Sequence, residues 1–313
     1  MTKPTLAERT WLRPLGLLVM TLALSVSSAG VLIAIPFLAL AMMFGLRRFG
    51  VVAAAALAGL VSIGAVERGG TWYLERGWTV VLAGWFVVAT IRWPNASFFP
   101  RALGAVLATF FLITMLLAFQ PGSWTTVDWL ITEGVLRSVS LALEVFREFN
   151  PGGALPAAVV SGMFETATQQ GRVFPALLGL SSLTGLAVAW WGYVRLASGS
   201  DQSLSPLRDF RFSNDLVWLL VIGLALVVFS LGEGWNRAGT NTVVFMGGLY
   251  ALRGVAILLF FSGGIALSWG FLLLLSGMLL IPPVLLMGAL VLGVGDTWLD
   301  LRAKAGAISD SKT

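Results

Sequence analysis

Long stretches of this chain contain no charged residue at all, among them Leu15 to Phe44, Val51 to Val66, Trp78 to Ile91, Ala102 to Phe119, Val173 to Val194 and Gly254 to Gly295. An apolar run of about 20 residues spans a bilayer core as a helix, and only helices or closed barrels satisfy their backbone there. The feature therefore dictates a membrane protein. Composition agrees, with 58% hydrophobic and 11% charged residues among 313, against about 25% charged in a soluble domain. Zero cysteines and zero histidines exclude disulfides, thiol redox chemistry and every His-based metal site, triad or proton shuttle. The net charge of +5 forms no basic run interleaved with aromatics, so nucleic acid is not a partner and the lipid bilayer is.

The distribution of charge orders the spans. Met1 to Pro14 carries Lys3, Arg9 and Arg13 against Glu8, the pattern of a cytoplasmic N-terminus. Cleavage of a signal peptide near Ser27 and Ala29 is the rival reading. The 30 residues from Leu15 to Phe44 make either one overlong helix or a hairpin broken at Ser27, Ser28, Ala29 and Gly30, and the hairpin returns Arg47 and Arg48 to the cytoplasmic side. The loop with Glu67, Arg68, Glu75 and Arg76 is balanced and reads as outside. The loop with Arg92 and Arg101 has no acid and reads as inside, its turn at Pro94, Asn95, Ala96 and Ser97.

Gln120 to Arg172 is net acidic and is expected outside. Between Val127 and Phe149, Glu133, Arg137, Ser140, Glu144 and Glu148 recur at helical spacing opposite Val135, Val139, Leu143 and Phe146. That periodicity predicts an amphipathic helix lying on the membrane or across the bundle. Asn150 to Gly153 stops it, and a second helix is expected from about Pro156 towards Gln170, followed by a separate span from Val173 to Val194. A polar linker from Ser198 to Asn214 with Arg208 and Arg211 reads as inside. Ser213 is placed to cap the helix starting near Asp215, and Glu233, Asn236 and Arg237 are expected in a short outer loop.

From Thr242 to Gly295 the only charge is Arg253. A turn at Gly263 and Gly264 and a break at Pro282 and Pro283 are expected, giving nine spans if the prolines only kink the helix and ten if they split it. The fold class is an all-α polytopic helix bundle of about eight to ten spans, some broken or short. It divides into an N-terminal membrane part (1–119), an amphipathic helical extramembrane segment (120–172) and a C-terminal membrane part with a short polar tail (173–313).

Four stretches carry a resemblance: Pro36 to Leu46 with Arg47, Arg48, Phe49 and Gly50; Phe174 to Leu178; Pro206 to Phe212; and Gly293, Asp296, Asp300 and Arg302. In these the chain resembles the YybS-like family of bacterial membrane proteins, itself of unknown function. That family is distantly similar to the substrate-binding membrane subunits of energy-coupling-factor transporters and to bacterial rod-shape membrane proteins. The resemblance implies a multi-pass protein of the bacterial inner membrane, with a small-molecule cavity or a scaffold role.

Arg253 is the leading candidate site residue, because an ionised side chain within a span costs at least about 2.5 kcal/mol and calls for a partner or a wet cavity. Its expected contacts are Asn241 or Thr242, the hydroxyls of Ser181, Ser182 and Thr184, or a ligand's anionic group, since no acid lies within the spans; snorkelling to an interface is the alternative. Asp296 and Asp300, four residues apart, share one face if the helix continues, and with Arg302 they form a tail motif suited to a cation or a partner, or simply a solvated helix end. Arg47 and Arg48 suit anionic lipid or a docking partner. Glu144, Glu148, Glu165 and Arg172 are candidates to line an external mouth, but no nucleophile with a base, phosphate loop or metal spacing accompanies them. Gly247, Gly248, Gly254, Gly288 and Gly293 read as close helix packing. No catalytic residue, metal or cofactor is implied. The expected function is a non-enzymatic small-molecule-binding or transport subunit without its own energising module, with a membrane scaffold for envelope proteins as the alternative.

Overall fold

The computed structural model describes residues 28–41, 70–120, 122–149, 155–195, 206–229, 231–261, 282–302 and 304. Arg47, Arg48, the Gly263–Gly264 turn, the segment before Ser28 and hence the choice between span and hairpin for Leu15 to Phe44 lie outside them. Among the described residues the regular structure is entirely helical. The α-helices are α1 (Ser28–Leu40), α2 (Gly70–Arg92), α3 (Phe98–Ala118), α4 (Ser123–Phe149), α5 (Ala157–Tyr193), α6 (Val217–Val228), α7 (Glu233–Phe261) and α8 (Pro282–Leu299). Four segments, Leu74–Arg92 of α2 together with α3, α5 and α7, are long and apolar enough to cross a membrane. The all-α membrane bundle is what the charge-free runs require.

The chain divides into two compact units, Met1–Gly171 with Ser181–Leu204, and Arg172–Leu180 with Ser205–Thr313. In the first, α1 and α3 pack against α2. Gly185 permits the approach of α5 to α1, because a Cβ there would stand 2.7 Å from the carbonyl oxygen of Leu32. An aromatic cluster fills the interior, with Phe86 edge-on to both Phe98 and Trp190 and Trp78 edge-on to Phe110. Buried hydroxyls find local acceptors, since Thr79, Thr90 and Thr109 each donate to the carbonyl four residues back, a bond that spares a polar group in an apolar helix.

Helix α4 matches its periodicity. Leu143 is buried, Val135, Val139 and Phe146 are half-buried, and Arg137, Ser140, Glu144 and Glu148 are exposed, while the helix rests on α2 and α3. The turn into it follows from Gly122, whose φ of +81° suits glycine, and from Ser123, whose hydroxyl donates to the α3 carbonyl of Leu117 at 2.7 Å.

Two expectations are corrected. The helix from Pro156 and the span to Val194 are one continuous helix, α5, with Pro175 inside it. Glu233, Asn236 and Arg237 are not a loop but the first turns of α7, because Gly232 (φ +131°) reverses the chain and Glu233 favours the positive end of the helix.

In the second unit α7 is the axis. Gly223 of α6 faces Thr242 and Gly239 of α7 faces Gly223 and Leu226, so α6 runs antiparallel along the N-terminal half of α7. A Cβ on Gly254 would run into the carbonyl of Ala289, and one on Gly293 into that of Tyr250, so α8 runs antiparallel along the C-terminal half. Of the glycines read as packing positions, Gly248 also meets Leu180 closely, Gly247 makes ordinary contact, and Gly288 faces open space. Pro282 opens α8, where a missing N–H costs nothing.

Candidate functional site

Helix α6, at 12 residues, is about 18 Å long and too short to cross a hydrocarbon core of about 30 Å. It begins beside the middle of α7, and α8 ends at nearly the same level. Between them passes the linker from Pro206 to Leu216, with 3₁₀ turns at Leu207–Asp209 and Asn214–Leu216. Ser213 caps the second turn as expected, its Oγ accepting from the Asp215 N–H at 3.3 Å. Irregular backbone thus meets two helix ends part-way along a long apolar helix. Apolar side chains point outward on both sides of this level, among them Trp218 and Val228 on α6 and Val284 and Met287 on α8.

Arg253 lies at this junction, 3% exposed, and does not snorkel. Its Nε and Nη2 donate to Asp296 Oδ2 at 3.0 and 2.9 Å, and its Nη1 donates to Asn214 Oδ1 at 3.0 Å. The guanidinium also stands 5.3 Å from the centroid of the Phe212 ring, a favourable electrostatic arrangement. Asp296, 1% exposed, takes a second cation, because Arg302 Nη2 reaches the same Oδ2 at 3.1 Å. Arg302 Nη1 donates to the linker carbonyls of Arg208 and Phe210 at 3.1 and 3.2 Å. Its Nε is buried without a hydrogen-bond partner. The cluster therefore holds two guanidiniums against one carboxylate.

An acid does lie within reach of Arg253, contrary to the sequence expectation. Asp296 belongs to the end of α8, and because α8 lies beside the C-terminal half of α7 its last turns come level with Arg253. Nor do Asp296 and Asp300 share a helical face. Helix α8 stops at Leu299, and Asp300 takes φ +41°, a left-handed conformation that Asp tolerates better than most residues. The reversal lets Leu301 N–H donate to Asp296 Oδ1 at 3.2 Å and folds Arg302 back onto the same carboxylate. Asp300 faces outward and pairs with Arg211 at 3.5 Å, and Arg208 pairs with Asp209 at 3.8 Å. Both pairs lie exposed at the surface beside the buried cluster.

The remaining candidates are placed elsewhere. Asn241 does not serve Arg253; its Oδ1 accepts the N–H of Ala176 and its Nδ2 donates to the carbonyls of Arg172 and Arg237, each at 2.9 Å. Pro175 cannot donate within α5, and its ring crowds the preceding turn. The Asn241 amide thus serves the backbone groups beside that proline, through which α5 continues. Thr242 Oγ1 donates to the carbonyl of Ala238 and Ser182 Oγ accepts from Trp78 Nε1 at 2.9 Å, while the hydrogen bonds of Arg253 go to Asp296 and Asn214 instead. Glu144, Glu148, Glu165 and Arg172 are exposed.

Sequence reasoning missed Asn214, whose signal was its position beside the Ser213 cap, and it had no means of assigning the carbonyls of Arg208 and Phe210. It also read Arg101 only as a loop charge. The side chain is 5% exposed, stacks 4.8 Å from the centroid of Trp190, and bonds through Nε to the carbonyl of Ser97 at 3.3 Å.

Over residues 12–297 the chain matches the family described as Predicted membrane protein (DUF2232), and it belongs to that family. No curated protein and no solved structure matches it.

Proposed function

We propose that this member of the DUF2232 family is a non-enzymatic membrane subunit that binds a small anionic molecule beside the Arg253, Asp296 and Arg302 cluster and lacks an energising module of its own. The observation that carries the reading is the excess of one buried cation at a junction of helix ends. Intramembrane charges are expensive and mark ligand or ion pathways, and transporters place such sites where discontinuous helices meet within the bilayer. The exposed Arg208–Asp209 and Arg211–Asp300 pairs offer a polar approach, and the unpartnered Arg302 Nε is a spare donor. The resemblance to the YybS-like family, and through it to the substrate-binding subunits of energy-coupling-factor transporters, points the same way. The reading includes the bacterial inner membrane, a cytoplasmic N-terminus and an exterior α4.

The test is mass spectrometry of the purified protein for a co-purifying anion, with a metabolite panel screened by thermal shift. An anion that binds at a hundred times its Kd raises stability by about 2.7 kcal/mol, and Arg253→Gln is expected to abolish that shift while a reporter fused at Gly152 still shows exterior-type activity. A well-folded protein without ligand, and without stabilisation by any anion, overturns the assignment.

A second reading, a membrane scaffold, draws on α4, where Trp129, Leu141, Val145 and Phe149 are exposed along one helix. Stoichiometric cross-linking of α4 to another membrane protein in cells supports it, and α4 without such a product refutes it.

A further inference from the structure

Among the described residues, Arg101 differs from the buried Arg253 and Arg302 in having no acid beside it. Its one hydrogen-bond acceptor among them is the carbonyl of Ser97, and its buried Nη1 has no partner among them. A buried guanidinium left in that state costs free energy until an anion reaches it. The surroundings favour one. Arg101 lies in the first turn of α3, where Ser97 makes no side-chain cap hydrogen bond, so the positive end of the helix dipole adds to its charge. Arg92 closes α2 across the turn and stands over the Trp93 ring at 5.9 Å.

Beside Arg101 runs a groove of about 510 Å³ between α2 and α3, lined by Trp85, Val88, Trp93, Gly104, Ala105 and Ala108 among others, with no carboxylate. Its polar end is the guanidinium and its body is apolar. A soluble phosphate would use the first and leave the second empty, whereas a phospholipid uses both.

We propose that this groove is a binding site for one anionic phospholipid, its phosphate on Arg101 and the start of α3, and an acyl chain laid along Val88, Gly104 and Ala108. The exposed ring of Trp93 beside the turn suits the headgroup level of a bilayer, and the exposed Trp85, about two turns deeper on α2, lies along the acyl part of the groove. The site belongs to the first unit and is independent of the function proposed above.

Native mass spectrometry of the full-length protein, exchanged into detergent with phosphatidylglycerol or phosphatidylcholine, tests it. One phosphatidylglycerol is expected to survive delipidation where phosphatidylcholine does not. Arg101→Gln should cut that retention about tenfold, because it removes a charge-assisted contact. Gly104→Leu keeps the charge and directs bulk into the groove from a position where an added Cβ meets nothing within 4 Å; it should lower retention as well. If Arg101→Gln fails to fold, Gly104→Leu decides. Equal retention of the two lipids, retention unaffected by Gly104→Leu, or full displacement of the lipid by inorganic phosphate overturns the proposal.

Discussion

Arg253 and Arg101 are both buried guanidiniums in apolar helices, yet they are accommodated in opposite ways. Arg253 is enclosed by an acid, an amide and an aromatic face, and Asp296 in turn carries a second arginine. Arg101 rests on Trp190 with one backbone acceptor and an open donor. The first arrangement locks three distant segments, α7, the linker and the end of α8, into one register. The second locks nothing, and an unfilled donor beside an apolar groove is what a ligand site looks like before its ligand arrives. Burial alone therefore does not mark a binding charge; an open donor does, and each site keeps one, Arg302 Nε beside Asp296 and Arg101 Nη1 beside the groove.

Substitutions can break or sharpen this contrast. The largest effect is expected from Asp296→Asn, which leaves two buried guanidiniums without a counter-charge and should cost about 3–5 kcal/mol, read as a collapse of the unfolding midpoint in detergent. Adding Arg302→Leu to that variant should recover part of the loss. An unaltered midpoint in Asp296→Asn would mean that the cluster is hydrated and not dry.

A smaller loss, about 1–3 kcal/mol for leaving buried backbone groups unpaired, is expected from Asn241→Leu, which strips the amide from the backbone beside Pro175. Introducing Pro175→Ala into the same chain restores the missing N–H and should rescue it, as measured by hydrogen exchange in α5. Failure of the rescue would show that Asn241 stabilises something other than the backbone beside Pro175.

The smallest effect on stability belongs to Arg101→Met. It removes an unpaired charge and keeps apolar bulk, so the midpoint should be unchanged or higher by about 1 kcal/mol. A loss of several kcal/mol would reveal a partner for Arg101 and erase the distinction drawn between the two sites.

Much of the architecture was legible locally. Charge-free runs located α3, most of α2 and the second half of α5, the periodicity of Val135, Val139 and Leu143 gave the inward side of α4, and Ser213 capped where its spacing placed it. Hydropathy, helical period and capping are properties of neighbouring residues, so one chain suffices to read them. The expected separation of the Pro156 helix from the span at Val173 does not hold, because α5 runs on through Pro175, and the amide that serves the backbone beside it, on Asn241 of α7, lies 65 residues from Ala176.

By itself the sequence determined that this is an all-helical membrane protein without His or Cys chemistry, and that Arg253 needs a partner. The tertiary structure decided which partner. Asp296, 43 residues distant, reaches it only because Gly254 and Gly293 let the backbones of α7 and α8 touch in one antiparallel register, while the left-handed Asp300 turns Arg302 back to the same carboxylate. Register between helices is set by the shapes of two surfaces in contact, and hydropathy along one strand of sequence carries no record of it.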